Sequence, residues 1–126
     1  MPQSWLNIFD IKSNSWSSSN PPALRDTTRR DFYAVTNPDK NEIYIVGGNA
    51  GPQGAVAANV LDTFDVASKS MTETPIPSSG PQNAYTYTAA WIKHLSSMVL
   101  IGGQVTGGYL QSLSVYNSKT GAWSTQ

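Results

Sequence analysis

Side chains able to do acid–base or metal chemistry are few in this sequence and widely spaced. It has one histidine, His94, two glutamates, Glu42 and Glu73, and no cysteine. Without cysteine these residues can form no disulfide, thiolate metal site, Fe–S cluster or cysteine nucleophile. A single imidazole cannot serve a site that needs two. Glycoside hydrolysis uses a pair of carboxylates facing one bond, yet Glu42 stands at the entrance of one expected strand and Glu73 within another, both expected to be solvated. No Gly-x-Ser-x-Gly elbow offers His94 a nucleophile to activate. His94 itself lies in Trp91-Ile-Lys-His-Leu-Ser-Ser, which reads as a polar surface turn. The expectation is therefore no catalysis, no metal and no cofactor.

What positions these residues has to be a small neutral domain. The 126 residues carry 8 Lys+Arg against 8 Asp+Glu, with 13% charged and 39% hydrophobic. Balanced charge argues against nucleic acid or a polybasic membrane surface, since either needs an excess of cations on one face. No run approaches the ~18 apolar residues of a membrane helix. The opening Met1-Pro-Gln-Ser-Trp-Leu-Asn lacks the basic and apolar regions of a secretory signal. The compartment stays open.

The chain repeats itself. Asn41-Glu-Ile-Tyr-Ile-Val-Gly-Gly48 matches Ser96-Ser-Met-Val-Leu-Ile-Gly-Gly103 at an offset of 55 residues (47 to 102). A second marker, an aromatic followed by Asp or Asn with a large apolar residue seven positions on, occurs three times: Phe9-Asp10 to Trp16, Phe64-Asp65 to Met71, and Tyr116-Asn117 to Trp123. The first two lie 55 apart (9 to 64) and the last two 52 (64 to 116), the difference falling between the glycine pair and the aromatic. Length variation confined to one loop is the mark of a structural repeat.

Strand signals dominate each copy. Ile43–Val46 and Met98–Ile101 are consecutively apolar runs closed by Gly-Gly, so burial on both faces is expected. Val60–Val66 and Leu113–Tyr116 lead into the turns Ala67-Ser-Lys-Ser and Ser118-Lys-Thr-Gly. Further strands are expected through Trp16, Met71 and Trp123, and at Asp31–Thr36 and Tyr85–Ile92. No window has a helical apolar period. Four strands in about 50 residues describe a propeller blade.

In these markers the chain resembles the kelch repeat family. An apolar strand ending in Gly-Gly, an aromatic-Asp/Asn and a Trp seven residues later are its pattern; Met71 stands where a Trp is expected, and Arg30 fits the Arg that often precedes the first strand, whereas Tyr85 replaces it in the next copy. The resemblance implies an all-β fold, a partial kelch-type β-propeller of four-stranded antiparallel blades, about two and a half of them: residues 1–19 a half blade, 30–75 a full blade and 85–126 another, all one domain over 1–126. Glycine pairs would permit positive φ and close approach, and Phe64, Tyr116, Trp16 and Trp123 would fill the space between blades. Propellers close with 4–8 blades. A bare blade face of roughly 400 Å² would forfeit on the order of 10 kcal/mol at about 25 cal/mol/Å². The chain therefore reads as a fragment of a longer propeller, with further blades or self-assembly closing the ring.

Relatives in this superfamily include galactose oxidase-like copper enzymes. Their chemistry, as the resemblance implies, needs a tyrosine crosslinked to cysteine plus histidine ligands, which these residues cannot supply. Function then rests on recognition. In a four-stranded antiparallel blade the 2–3 loop and the 4–1 connection emerge on one face. That face would gather Arg25, Arg29, Arg30, Asn49 and Gln53 in one blade, and Gln82, Asn83, Tyr85, Gln104 and Tyr109 in the next. Loops on a rigid scaffold carry recognition, and Arg and Tyr are enriched in binding hot spots. The expected function is a non-catalytic protein–protein interaction or scaffold module that binds a protein partner. The alternative is the non-catalytic portion of an extracellular galactose oxidase-like or carbohydrate-binding propeller protein, with Tyr109 as the sugar-stacking ring.

Overall fold

The computed structural model describes residues 6–19, 31–50, 56–57 and 59–126 of the chain. They form an all-β structure with no α-helix. The strands are β1 (Leu6–Asp10), β2 (Ser15–Ser19), β3 (Tyr33–Asn37), β4 (Glu42–Val46), β5 (Asn49–Ala50), β6 (Val56–Ala57), β7 (Val60–Asp65), β8 (Ser70–Pro75), β9 (Ala84–Tyr85), β10 (Thr88–Ile92), β11 (Ser97–Ile101), β12 (Gln104–Val105), β13 (Gly108–Tyr109), β14 (Leu113–Asn117) and β15 (Ala122–Thr125). Two four-stranded antiparallel sheets carry the structure, ordered β3-β4-β7-β8 and β10-β11-β14-β15. A hairpin β1-β2, a short pair β5-β6 and a three-stranded sheet β13-β12-β9 accompany them. The described strands close no barrel or propeller.

Hairpin chemistry explains the seven-residue spacing. Phe9 pairs directly with Trp16, Phe64 with Met71 and Tyr116 with Trp123, each across a four-residue turn. The Asp or Asn after each aromatic ties that turn. Asp10 Oδ1 accepts the Ser13 N–H at 2.8 Å, Asp65 Oδ1 the Ser68 N–H at 2.6 Å, and Asn117 Oδ1 those of Lys119 and Thr120 at 2.9 and 3.1 Å. The serine N–H groups hold the Asp10 and Asp65 carboxyls below the ordinary carboxylate value. Each turn re-enters its strand through a left-handed residue, Asn14 (φ 51°), Lys69 (φ 55°) or Gly121 (φ 71°). Each aromatic and its partner seven residues on thus project from the same sheet face.

The two large sheets are stacked. On the first, Tyr44 and Val46 of β4 and Leu61 of β7 share one face in register, Val46 opposite Leu61 and Tyr44 opposite Thr63. That face is covered by the second sheet. Tyr44 meets Tyr116 edge-on at 5.5 Å between ring centroids, and Trp91 at 6.0 Å. Met98, Leu100, Ala89 and Trp123 complete one shared core with Ile76, Ala84 and Tyr87. Removing each large side chain from water contributes ~1.5–3 kcal/mol. Tyr44 spends its hydroxyl well: it donates to Glu42 Oε2 at 2.8 Å and accepts from Asn37 Nδ2 at 2.9 Å. Lys40 Nζ bridges the sheets by donating to the Ser118 carbonyl at 2.7 Å.

Two expectations need correction. Burial on both faces does not extend to β11, where Ile101 is 56% exposed and Val99 half-buried, because that face has no described layer over it. Nor does Trp16 fill an interlayer space. It is 71% exposed, whereas its repeat counterpart Trp123 is 8% exposed.

Candidate functional site

The connection between the two large sheets and the β11–β14 loop meet on one side of the molecule. Their strands β9 and β12 pair antiparallel, Gln104 opposite Tyr85 and Val105 opposite Ala84, and β13 adds Tyr109 opposite Gln104 and Gly108 opposite Val105. Pairing in register places residues on common faces. Ala84 belongs to the core and Val105 packs against it, so these two face inward and the Tyr85–Gln104–Tyr109 row outward. Tyr109 is 78% exposed, while Tyr85 and Gln104 are half-buried. The β12–β13 turn is only Thr106-Gly107, with Gly107 at φ 89°. The loop is anchored at its base, where Leu110 N–H donates to Gly103 O at 2.8 Å and Gly102 N–H to Ser112 O at 3.1 Å.

Beneath this row sits Tyr87, which the sequence reading missed. A Cβ on Gly47 would lie 2.6 Å from Tyr87 Cε2, and one on Gly103 would lie 2.8 Å from Cε1. The glycine pairs of both sheets therefore clear space for a single ring wedged between them. Burial pushes its phenol well above the usual tyrosine value. The signal was present as Phe32 and Tyr87, aromatics at the same 55-residue offset (32 to 87).

The polar candidates divide into structural and available groups. Gln82 Nε2 donates to the carbonyls of Ile76 and Pro77 at 3.2 and 2.7 Å, closing the connection on itself. Asn83, at φ 53°, is locked to Asn59: its N–H donates to Asn59 Oδ1 at 2.7 Å, and Asn59 Nδ2 donates to Asn83 Oδ1 at 3.0 Å. Asn49 is buried, with Nδ2 3.5 Å from Asp31 Oδ2 and Oδ1 without a hydrogen bond among the described residues. Gln104, its counterpart 55 residues on, stays half-buried in the outward row. Arg25, Arg29, Arg30 and Gln53 lie outside the described residues.

Residues considered for catalysis are dispersed. His94 is exposed in the 3₁₀ turn Lys93–Leu95 between β10 and β11. Glu42 is half-buried, its carboxylate receiving the Tyr44 hydroxyl, and Glu73 is exposed on β8. Among the described residues no three His, Cys, Asp or Glu side chains cluster as metal ligands, and no helix is long and apolar enough to cross a membrane. No protein-family model matches the chain, and no curated protein matches it.

Proposed function

We propose that the chain is part of a kelch-type propeller and works as a non-catalytic interaction module, recognising a protein partner through the loop sheet. Support for the architecture comes from repetition: two four-stranded antiparallel sheets, equivalent at an offset of 55 residues in their first two strands and 52 in their last two, stack face to face with the paired aromatics of one against the other. Support for recognition comes from one observation, the outward Tyr85–Gln104–Tyr109 row. Two phenol rings flanking an amide offer apolar area, hydroxyls and both amide hydrogen-bonding functions, and Tyr loses little conformational entropy on binding. The short β12–β13 hairpin is backed by the core through Ala84 and Val105, so the row is held rigid before a partner arrives.

The test compares proteins retained from lysate by the immobilised wild-type chain and by Tyr109→Ala and Gln104→Ala variants. A partner held by the wild type and released at least tenfold more readily by Tyr109→Ala supports the proposal. Retention unaffected by either substitution overturns it. Titration with oligosaccharides addresses the carbohydrate alternative: a saturable change in tyrosine and tryptophan fluorescence, abolished in Tyr109→Ala, would replace a protein partner by a glycan.

A further inference from the structure

The molecule displays two complementary faces that no described layer covers. On the second sheet, the face away from the first is built of the rows Thr88–Ile101–Leu113, Ala90–Val99–Val115–Ser124 and Ile92–Ser97–Asn117–Ala122. None of these side chains is charged, an unusual composition for a sheet face left in water. Its counterparts on the first sheet, at the offsets of the repeat, are Val46 for Ile101, Tyr44 for Val99 and Leu61 for Leu113. All three are buried by the second sheet. What buries them includes the Tyr116–Trp123 pair, ring centroids 5.0 Å apart and tilted 41°.

A second pair of the same geometry exists in the molecule. Phe9 and Trp16 on the β1-β2 hairpin stand 5.1 Å apart with a tilt of 44°. They are 43% and 71% exposed, and they share their face with the uncharged Asn7 and Ser18. The chain thus carries a socket of the kind that its own Tyr116–Trp123 pair fills, and a spare pair of the kind that fills it. Contact between them would desolvate no charge, and the zero net charge of the chain imposes no long-range repulsion.

We infer that a second copy of this chain docks its Phe9–Trp16 face on the Val99, Ile101, Leu113 and Val115 face of the first. The contact continues, between molecules, the packing already present between the two sheets. It is heterologous, joining different patches on the two partners, and so can propagate to a ring or filament. It lies on the sheet faces, apart from the Tyr85–Gln104–Tyr109 row, and stands whether or not that row binds a partner.

Light scattering behind a sizing column, run across a wide concentration range, reads the assembly directly. The wild type is expected to exceed the 13.6 kDa chain mass, rising with concentration. Trp16→Asp removes the plug and Ile101→Lys spoils the socket. Both side chains are exposed, so circular dichroism should report an unchanged fold, and each variant alone should run as a monomer. An equimolar mixture retains one intact plug and one intact socket, and is expected to reach twice the chain mass and stop there. A wild type that stays monomeric at every concentration overturns the inference. So does an oligomer that survives both substitutions, or a mixture that remains monomeric, which would indicate a symmetric contact or none.

Discussion

Leu61 and Leu113 are the same residue at the same register position of two repeat-related sheets, and their surroundings differ. Leu61 is almost wholly buried, while Leu113 is half-buried on a face no described layer covers. The same contrast separates Val46 from Ile101 and Trp123 from Trp16. Local structure is equal in each case: the strands pair alike, the turns are tied alike and the aromatic pairs have matching tilt. What differs is the neighbouring layer. In a stacked-sheet architecture each unit buries its face only against the next, so an identical motif is core at one level of the stack and surface at another.

The largest expected effect breaks this comparison at its centre. Leu61→Ala should destabilise the fold by about 2–5 kcal/mol, the range for deleting a buried leucine side chain, whereas Leu113→Ala should cost about 1 kcal/mol in the monomer. Urea unfolding of the two variants at low protein concentration measures the difference. Equal losses would mean that the exposed face is covered in solution.

A subtler contrast uses the glycines. Gly47 and Gly102 have nearly the same φ, 70° and 72°, so alanine at either incurs a similar left-handed penalty of roughly 1–2 kcal/mol. Their surroundings differ, since a Cβ at Gly47 strikes the Tyr87 ring while one at Gly102 comes no closer than 3.9 Å to Leu110 O. Gly47→Ala should therefore exceed Gly102→Ala by about 1–3 kcal/mol, the usual range for overpacking. Tyr87→Ala in the Gly47→Ala background would relieve the clash, leaving less than the sum of the two single effects.

The smallest effect is alkaline. Burial raises the phenols of Tyr44 and Tyr87 above the usual tyrosine value of about 10. A folded pKa above the unfolded one contributes stability that is fully present below about pH 10. It is lost as pH rises further, because the unfolded chain releases protons that the folded chain still holds. Unfolding midpoints should therefore fall above about pH 10, and fall less steeply in Tyr87→Phe. A slope unchanged by that substitution would show that the Tyr87 phenol ionises freely in the folded state.

Much of the scaffold was legible in the sequence because its markers are local. An aromatic seven residues before Trp123 or Met71 is a direct cross-strand pair, the intervening Asp or Asn ties the turn through its own side chain, and Gly47, Gly48, Gly102 and Gly103 all take positive φ. The exposed turn holding His94 was legible in its polar residues, and the meeting of the Tyr85 and Gln104 segments in the strand order of a four-stranded antiparallel unit. The site was less legible. Gln82 and Asn83 look available in one dimension, yet their amides are spent on Pro77 and Asn59, partners whose identity depends on how the connection folds back. Asn49 is buried where its counterpart Gln104 is not.

Spacing and side-chain chemistry therefore determined the β1–β2, β7–β8 and β14–β15 hairpins with their pairing and turns, since these rest on contacts within one hairpin. Only the tertiary structure decided which copy of each motif is core and which is surface. It also revealed that Tyr87 is the reason for two of the glycines. Both answers depend on which layer lies against which, a relation between residues up to 78 positions apart, as in the bond from Lys40 to Ser118. A repeated sequence writes the same local pattern into every copy and so cannot by itself distinguish an interior layer from an outer one.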